Sequence, residues 1–600
     1  MANSFFSFTS FDFNGIQGRF SSLAEDKDKE EEMLKRKQDQ MFIMEEFEEV
    51  NPLFPEFDYQ DESIAKNELN LLKDNQQLLE QQQHQAKSID LSSGNFQPNF
   101  VQENEILKLK SVDTGSEQLY KPAKEATHLS ALSSLELLSN YASGFKRLKG
   151  KLSCNDTIEI SEGSRKKLST EEIMRVAGAR YIQFSDQSYD DFSMVMHPFG
   201  YALSGLSEEE TRDVELAHLL LAAAEKVGNQ QYERATRLLS RCEWIAVERG
   251  NPVQRIVFYF AVALRERIDK ETGNITSREL QLAGKGITTA DHGLGTNSVF
   301  LSFYQLIPFN QVLYFAAIQT ILENVSNASK VHLVDFEIRS GVHWTPFMQA
   351  LAERGQRPIQ LLKITAFGIR NREDMEETGK RLSSFAESFN LPFQFKIVCL
   401  SSFSEIKEGL FQVEKDESVV IYCSLILRIL ISRPSYLENL MSVIRKLNPS
   451  IMVVIEVEAN HNSPSFVNRF IEALFYYSAF FDSLETCIDN FDQKIMMEAV
   501  FNNGIKNIVA SEGGERTVRS VKMEVWRAFF SRFRMLEMGF SDSCVYQANL
   551  FVKQFPCASC CSLDNNGKSL VIGWKGTPML SLSAWKFSRE KGRSFLHYRF

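Results

Sequence analysis

A short apolar segment that ends in an acid, Val331 to Asp335, constrains the fold of this chain more than any other feature. It has the sequence Val-His-Leu-Val-Asp, and a loop with a single glycine, Gly341, and then a helical pattern follow it. This order is typical of the first strand and first crossover of a doubly wound α/β sheet. In nucleotide-binding sheets of this class, the loop carries several glycines so that a phosphate or cofactor can approach the backbone. Here Arg339 and Val342 stand where small residues would be needed.

Strand and helix patterns alternate after residue 331. The strand segments are near-continuous apolar runs, which is typical of a sheet covered by helices on both faces. We predict strands at 331–336, 360–367, 394–400, 418–425 and 450–457. We predict helices near 345–354, 373–389, 403–412, 435–447 and 463–480. A terminal antiparallel hairpin is predicted from Leu570–Trp574 and Met579–Trp585, with its turn at Gly576-Thr577-Pro578.

A helical region is predicted ahead of the sheet. Ser169 and Glu172 have the spacing of a capping box at the start of a helix. Apolar residues then repeat on helical faces, and glycines interrupt them too often for a sustained coiled coil. These faces hold Leu216, Leu219, Leu220, Ala223 and Val227, then Leu238, Leu239, Cys242, Ile245 and Ala246, then Val253, Ile256, Val257, Phe260 and Leu264. We expect most of them in a helical core, including the LxxLL-like string Leu216–Leu220.

The first 165 residues have a different composition. Acids, glutamines and serines dominate without apolar periodicity, which predicts disorder. Acids and aromatics interleave at 41–59, a pattern of segments that recruit partners and also of charged linkers. Basic runs at 146–151 and 165–167 fit either a nuclear import signal or a solvated charge patch.

Composition restricts the partners. The net charge of −11 argues against sequence-independent DNA binding, which needs Lys and Arg to neutralise phosphates. The nine scattered cysteines predict reduced thiols. The longest apolar run, 419–431, is interrupted by Arg428 and is too short to cross a bilayer, so we expect no membrane partner.

Four segments, in chain order, resemble the signatures of the plant GRAS family of transcriptional regulators. The VHIID-like segment is Val331, His332, Leu333, Val334 and Asp335. The PFYRE-like region contains Glu456, Glu458, Asn460, His461 and Asn462. The RVER-like region contains Glu515, Arg516, Arg519 and Trp526, and the SAW-like region contains Trp574, Ser583, Ala584 and Trp585. The resemblance begins near Asp213 and continues to the end of the chain.

The resemblance implies an architecture. We expect an α/β fold in which a Rossmann-like mixed sheet is flanked by helices, with an N-terminal helical cap and a preceding disordered arm. The corresponding ranges are 1–165 for the arm, 166–330 for the leucine-rich cap and 331–600 for the α/β core.

The resemblance also implies a function. It is that of a nuclear regulator of transcription in plant development or signalling, which binds DNA-binding factors, coregulators and other GRAS proteins as homo- or heterodimers. DNA would be contacted indirectly or weakly. Leu238 and Leu239, in the leucine-rich part, are candidate partner-binding residues. The arm lacks the Asp-Glu-Leu-Leu-Ala string, so the regulated degradation of the DELLA subgroup is not carried over.

Two alternatives remain. One is a transcription factor that reads DNA directly through a basic groove. The other is an S-adenosylmethionine-dependent methyltransferase, since the topology is similar. A methyltransferase needs a glycine-rich first loop and an acid at the end of the second strand, which here ends in Gly368, Ile369 and Arg370. We therefore predict no catalytic, cofactor-binding or metal-binding residues.

Polar residues at predicted strand ends have two interpretations. Asp335 and His343, with Glu456, Glu458 and His461, would line the crevice of a doubly wound sheet as a carboxylate–imidazole site. Alternatively they are buried groups in mutual hydrogen bonds, which we favour.

Arginines and tryptophans of the C-terminal region are also assigned structural roles. For Arg516, Arg519, Arg527 and Arg532 we favour ion pairs with nearby acids such as Glu512, Glu515 and Glu524 over phosphate contacts. We expect Trp526, Trp574 and Trp585 between the sheet and its helices. Cys557 and Cys560 form a lone CxxC, which we expect in a surface loop.

Overall fold

The computed structural model describes residues 133–141, 167–185, 206–273, 304–355, 357–369 and 372–588. The helices before the sheet are α1 (Thr170–Ser185), α2 (Glu208–Gly228), α3 (Tyr232–Ile245), α4 (Pro252–Thr272) and α5 (Pro308–Asn324). Later helices are α6 (Thr345–Ala352), α7 (Arg372–Ser388), α8 (Leu427–Leu430), α9 (Pro434–Leu447), α10 (Phe466–Cys487), α11 (Phe491–Val509), α12 (Met523–Arg532) and α13 (Asp542–Val552). None of the described helices is both long and apolar enough to cross a membrane.

One mixed sheet contains nine strands within the described residues. They are β1 (Lys330–Asp335), β2 (Leu361–Ile369), β3 (Phe393–Leu400), β4 (Ser418–Ser424), β5 (Ile451–Val457), β6 (Met535–Met538), β7 (Cys561–Asn566), β8 (Ser569–Trp574) and β9 (Thr577–Phe587). Their order is β3-β2-β1-β4-β5-β9-β8-β7, with β6 paired to β9. The first five strands are parallel, and β9 joins β5 antiparallel. The predicted mixed α/β sheet is confirmed.

Two local predictions are wrong. The predicted helix at 403–412 is a pair of 3₁₀ turns, Phe403–Glu405 and Glu408–Leu410. Ile406 lies between them with extended backbone, which keeps its side chain in the core, and Gly409 weakens helix formation. The hairpin turn is Lys575–Gly576, since both residues have positive φ (46° and 86°), as a two-residue type I′ turn requires. The expected turn residues Thr577 and Pro578 begin β9 instead.

The predicted helical cap contains α1 to α4: α1, α2 and α4 pack on α10, α4 also packs on α11, and α3 packs on α2 and α4. Ser169 and Glu172 make the expected capping box, as the side chain of each accepts the backbone N–H of the other. Leu216 and Leu220 are at most 1% exposed, which confirms core packing for the LxxLL-like string.

Residues 133–141 contradict the expectation of a disordered arm. They are helical, and Leu138 is 1% exposed in the core. The Tyr141 ring stacks on Phe475 with centroids 4.2 Å apart, and its hydroxyl donates to Glu472 at 2.7 Å. This segment is short and its partners lie far away in sequence, so no local periodicity revealed it. The other arm features, at 41–59 and 146–151, lie outside the described residues.

A buried ion-pair network joins the cap to α10 and α11. Arg255, on α4, is 2% exposed and its Nε lies 2.9 Å from Glu498 Oε2, whose side chain is 0% exposed. The same guanidinium donates to Glu485 at 2.9 Å and to the Gly250 carbonyl at 2.9 Å. Each buried charge therefore has a partner, which is the condition for tolerating it.

We predict that Arg255→Met destabilises the protein by about 3–5 kcal/mol, because Glu498 is then left buried without its cation. Chemical denaturation measures the loss. Arg372→Met is the matched control, since Arg372 is 63% exposed and pairs with Glu376 on its own helix; we expect a change below about 1 kcal/mol. Equal effects of the two substitutions would contradict the assignment.

Candidate functional site

Asp335, the last residue of β1, uses both carboxylate oxygens to hold the loop that follows. Its Oδ2 accepts from Trp344 Nε1 at 2.7 Å, and its Oδ1 accepts from the Glu337 backbone N–H at 2.9 Å. Asp335 and Trp344 are both 0% exposed. The carboxylate is therefore a fixed structural group, as the hydrogen-bonded interpretation predicts.

The rest of the VHIID-like segment lies in the sheet interior. Val331, Leu333 and Val334 are at most 1% exposed. His332 is buried at the amino half of the strand, with Nδ1 2.9 Å from Glu417 Oε2 and Nε2 2.8 Å from Thr365 Oγ1. Burial lowers the pKa of His332 to about 4, so its ring is neutral at physiological pH. Both ring nitrogens are engaged, which leaves none for chemistry.

Glu456 and Glu458, at the end of β5, each hold the start of a helix. Glu456 Oε1 accepts from the Leu427 N–H at 2.8 Å, at α8. Glu458 Oε1 accepts from the Met523 N–H at 3.1 Å, at α12. These carboxylates cap orphan backbone donors near positive helix ends. Burial raises the pKa of Glu456 to about 7 and also raises that of Glu458.

His461 is buried among aromatic rings. Its ring lies 5.2 Å from Tyr476 and 6.3 Å from Tyr477, centroid to centroid. Burial lowers its pKa to about 3, and Nε2 has no partner among the described residues. Asn460 and Asn462 beside it are half-buried. The structure does not bring this imidazole together with Asp335 through any described contact.

The ion pairs predicted for the four arginines of the C-terminal region are only partly observed. Arg516 is buried and donates to the His461 carbonyl at 3.1 Å, and Arg519 donates to the Gly513 carbonyl at 2.5 Å. Both guanidinium groups also interact electrostatically with Glu512, one of the expected acids, so their hydrogen bonds to backbone oxygens come in addition to that attraction. Arg527 and Arg532 do pair with acids, namely Glu537 at 3.0 Å and Glu438 at 2.9 Å.

The remaining RVER- and SAW-like residues are mostly core. Trp526 stacks on Phe530 at 5.7 Å and is 2% exposed, whereas Glu515 is exposed. Trp574 Nε1 donates to Asp482 at 2.7 Å, and Trp585 Nε1 donates to Ser583 Oγ at 2.8 Å. Ser583 and Ala584 are 0% exposed where β9 pairs with β5. The predicted positions of the three tryptophans are confirmed.

The prediction that the CxxC segment lies in a surface loop is wrong for Cys557. Cys557 is 7% exposed, and its thiol hydrogen-bonds with those of Cys487 and Cys561. Cys487, one of these partners, is the last residue of α10. No group of three or more metal-ligating side chains with the arrangement of a metal site occurs within the described residues.

The loop after β1 fills the position that a cofactor would need. Arg339 and Val342 line the crevice above the sheet with His343, so side chains occupy the place of a glycine-rich loop. The second strand ends at Gly368 and Ile369 without an acid; Arg370 lies outside the described residues.

The described surface exposes one apolar area that the sequence analysis missed. Trp244 is 89% exposed at the end of α3, with Ile245 at 39% and Val247 at 50%. Arg249, next along the chain, lies 5.3 Å from the Phe491 ring and pairs with Asp492 at 2.8 Å, which places the start of α11 beside it. Phe491 is itself 38% exposed. We call Trp244, Ile245 and Val247 the Trp244 surface.

Two expectations about residues of α3, namely Leu239 and Ile245, are wrong. Leu239, a candidate partner-binding residue, is 0% exposed because it packs between the cap helices. Leu238, the other candidate, is half-buried, and its role stays a prediction. Ile245 was expected in that core but lies where α3 ends, so no neighbouring helix covers it. The sequence signal that could have identified this surface was Trp244, a tryptophan among the polar positions of the amphipathic helix α3.

This fold and these sites define a class: a Rossmann-like α/β protein whose first loop is closed by its own side chains. Comparisons with known proteins agree. The GRAS domain family model matches residues 216–586. The chain is 30% identical to the DELLA protein GAIP of Cucurbita maxima over 387 residues, 64% of each chain. It is 30% identical to the DELLA protein RGL1 of Arabidopsis thaliana over 386 residues, 64% of this chain and 72% of that one.

A solved structure extends the comparison. The crystal structure of SCL7 from Oryza sativa has a TM-score of 0.53 and 26% identity, and covers 62% of this chain and 99% of that one. The chain thus belongs to the GRAS domain family, a family of plant transcriptional regulators. It matches just under two thirds of the length of GAIP.

We predict that the buried carboxyl of Glu456 gives stability a pH dependence. Its folded pKa near 7 exceeds the ordinary 4.5, so the folded state keeps a proton that the unfolded chain releases. That contribution is fully present below about pH 4.5 and is lost as pH rises through 7. Glu456→Gln cannot release this proton, so we expect it to gain about 1–3 kcal/mol relative to wild type between pH 5 and pH 8.

Urea denaturation at both pH values measures this difference. The control is Glu376→Gln, because Glu376 is 46% exposed and pairs with Arg372 on the surface. A wild-type-minus-variant difference that stays constant with pH for Glu456→Gln would refute the buried-proton assignment.

Proposed function

We propose that this chain is a nuclear regulator of transcription in plants that acts as an adaptor, binding DNA-binding factors or other GRAS proteins through the Trp244 surface. Family membership supports the regulatory role. The basic runs of the sequence support nuclear entry. The adaptor mechanism depends on one observation, the exposure of Trp244 on the helical cap.

An exposed tryptophan flanked by aliphatic side chains is typical of a binding surface. Tryptophan is enriched among the residues that dominate interface energies, and large exposed apolar groups in a cluster indicate an interaction site. Arg249 and Asp492 form a polar rim beside the cluster, with side chains 67% and 78% exposed. An apolar centre with a charged border is the usual organisation of a protein interface.

The motif residues support an adaptor role because their polar groups form hydrogen bonds within the fold. Asp335, Glu456 and Glu458 hold loop and helix ends, and Arg516 is turned onto a backbone carbonyl. These groups hold loops and helix starts at the carboxyl edge of the sheet, which supports a structural role for the motif residues. The net charge of −11 also favours binding to a protein over direct reading of DNA.

We predict that Trp244→Ala lowers the recovery of DNA-binding factors and GRAS proteins from plant nuclear extract by at least about tenfold. Truncation of an interface hot spot costs about 2 kcal/mol or more. The thermal midpoint should remain that of wild type because Trp244 packs little against the fold. Tyr546→Ala is the matched control, since Tyr546 is a large aromatic 66% exposed on α13, and it should leave recovery unchanged.

A mobility-shift titration of the same proteins with naked DNA distinguishes the adaptor from a transcription factor that reads DNA directly. Tight, salt-dependent DNA binding by the wild type, together with unchanged partner recovery by Trp244→Ala, would overturn the adaptor proposal and favour a direct DNA reader.

A further inference from the structure

The outer face of α3 carries arginines that lead along the helix to Trp244. Arg237, Arg241 and Trp244 follow one another at spacings of four and three residues, which places their side chains on one side of a helix. All three are exposed, whereas Leu239 and Cys242, on the opposite side, are buried. The Trp244 surface is therefore the end of a longer face that is basic along its length.

The arginines of this face are not neutralised by the fold. Arg234, Arg237 and Arg241 are exposed, and we call them the arginine row. No ion pair joins any of the three to an acid within the part of the chain that the structure describes. Arg234 makes one long hydrogen bond, from Nη1 to Gln231 Oε1 at 3.4 Å. The row thus presents guanidinium groups that are open to an external carboxylate.

The two acids of α3 do not cancel this charge. Glu243 accepts from Nε and Nη2 of Arg265, on α4, at 3.1 and 2.9 Å. Glu233 lies one turn before Arg237, and no ion pair joins these two described residues. The middle of the helix, from Arg237 to Arg241, therefore stays positive on a chain whose net charge is −11.

The chemistry of the whole face indicates its complement. Guanidinium groups bind carboxylates in a bidentate geometry, and an exposed tryptophan beside aliphatic groups is stabilised by covering it with apolar surface. Trp244, Ile245 and Val247 supply that apolar end. A segment that carries both carboxylates and large apolar side chains would satisfy the arginine row and the Trp244 surface together.

A nucleic acid would satisfy the arginine row alone. Its phosphates pair with arginines, and an unpaired base can stack on an indole. Ile245 and Val247, however, would meet no apolar group on a phosphate backbone. Asp492, which pairs with Arg249 beside Trp244, would also repel phosphates. These observations favour a peptide.

We propose that the arginine row and the Trp244 surface together bind an acidic amphipathic helix of a partner protein, with its carboxylates against Arg237 and Arg241 and an aromatic or leucine side chain against Trp244. This inference rests on the proposed function, because it names the kind of segment that the Trp244 surface takes. From Arg237 to Trp244, α3 rises about 10 Å, so a partner helix of a few turns covers the face.

Fluorescence anisotropy of the full chain with a labelled peptide tests the proposal. The peptide contains two Leu-Glu-Glu-Phe-Glu-Glu-Glu repeats, in which apolar residues recur at helical spacing. A peptide with lysine in place of every glutamate is the comparison. We expect the acidic peptide to bind at least about tenfold more tightly than the basic one, and its binding to weaken as salt is added. Non-specific attraction to a chain of net charge −11 would give the opposite order.

Three double variants locate the binding. Arg237→Glu/Arg241→Glu should weaken binding of the acidic peptide at least about tenfold, because repulsion replaces attraction. Arg237→Lys/Arg241→Lys keeps the charge and should remain within about threefold of wild type. Arg372→Glu/Lys380→Glu, at exposed positions of α7, changes the net charge by as much as the first variant and should leave binding unchanged. Thermal unfolding verifies that each variant folds, and the comparison of the two peptides on wild type needs no variant.

The outcomes that overturn the proposal are distinct. No binding of the acidic peptide, equal binding of the two peptides, or wild-type affinity in the folded Arg237→Glu/Arg241→Glu variant would each do so. Displacement of the peptide by a DNA duplex at lower concentration than by unlabelled peptide would assign the arginine row to phosphates instead.

Capture from plant nuclear extract separates this inference from the proposed function. Wild-type recovery of partners by Arg237→Glu/Arg241→Glu, together with their loss from Trp244→Ala, would overturn the acidic-partner inference and leave the adaptor proposal standing. Wild-type recovery by both variants would overturn the Trp244 surface as a binding site.

Discussion

The carboxylate of Asp335 holds the loop that follows the central strand at two points, through the Trp344 indole and the Glu337 backbone. Because β1 lies in the middle of the parallel part of the sheet, this loop decides what the crevice above the sheet contains. A hydrogen bond between an ionised acceptor and a buried donor is stronger than a neutral one, and loss of one partner leaves the other unsatisfied. The loop is therefore fixed in a conformation in which the side chains of Arg339 and Val342 occupy positions that a cofactor-binding loop would leave to glycines.

The other polar groups at the carboxyl edge have a similar role. Glu456 and Glu458 receive backbone N–H groups at the starts of α8 and α12, and His332 is tied between β2 and Glu417 at the opposite end. In a catalytic Rossmann-like sheet such groups would face a substrate. Here one oxygen of Glu456 and one of Glu458 hold helix starts, and the second oxygen of each has no partner among the described residues. Trp244, which we propose for recognition, lies on the helical cap.

Much of this architecture follows from local sequence. Strands β1, β2, β4 and β5 were predictable because each is an apolar run that is mostly buried, whereas β3 is a half-buried edge strand. Ser169 and Glu172 identified a helix start through a fixed spacing. The turn at Lys575–Gly576 was not predictable because lysine rarely adopts positive φ, whereas proline is a common turn residue. Helix α11 and strand β6 were missed, since their burial comes from distant elements.

The functional surfaces were less predictable than the core. A helical face predicts which residues are apolar together, but only the packing of α2 to α4 shows that Leu239 is inside and that Trp244 is outside. The crevice above β1 and β4 is bordered by two loops, and its lining residues Arg339 and Ser424 are 85 positions apart in sequence. No spacing in the chain reveals that Arg339 and Ser424 line the same space.

The most direct test of the structural role of the VHIID-like acid is the unfolding free energy of Asp335→Asn, measured together with capture of nuclear partners by the same protein. We expect a loss of about 1–3 kcal/mol, because the Trp344 indole and the Glu337 N–H lose a charged acceptor, and partner recovery that remains at the wild-type level in the folded variant. Unchanged stability combined with lost partner binding would contradict the account, since Asp335 would then act in recognition and not in holding the loop.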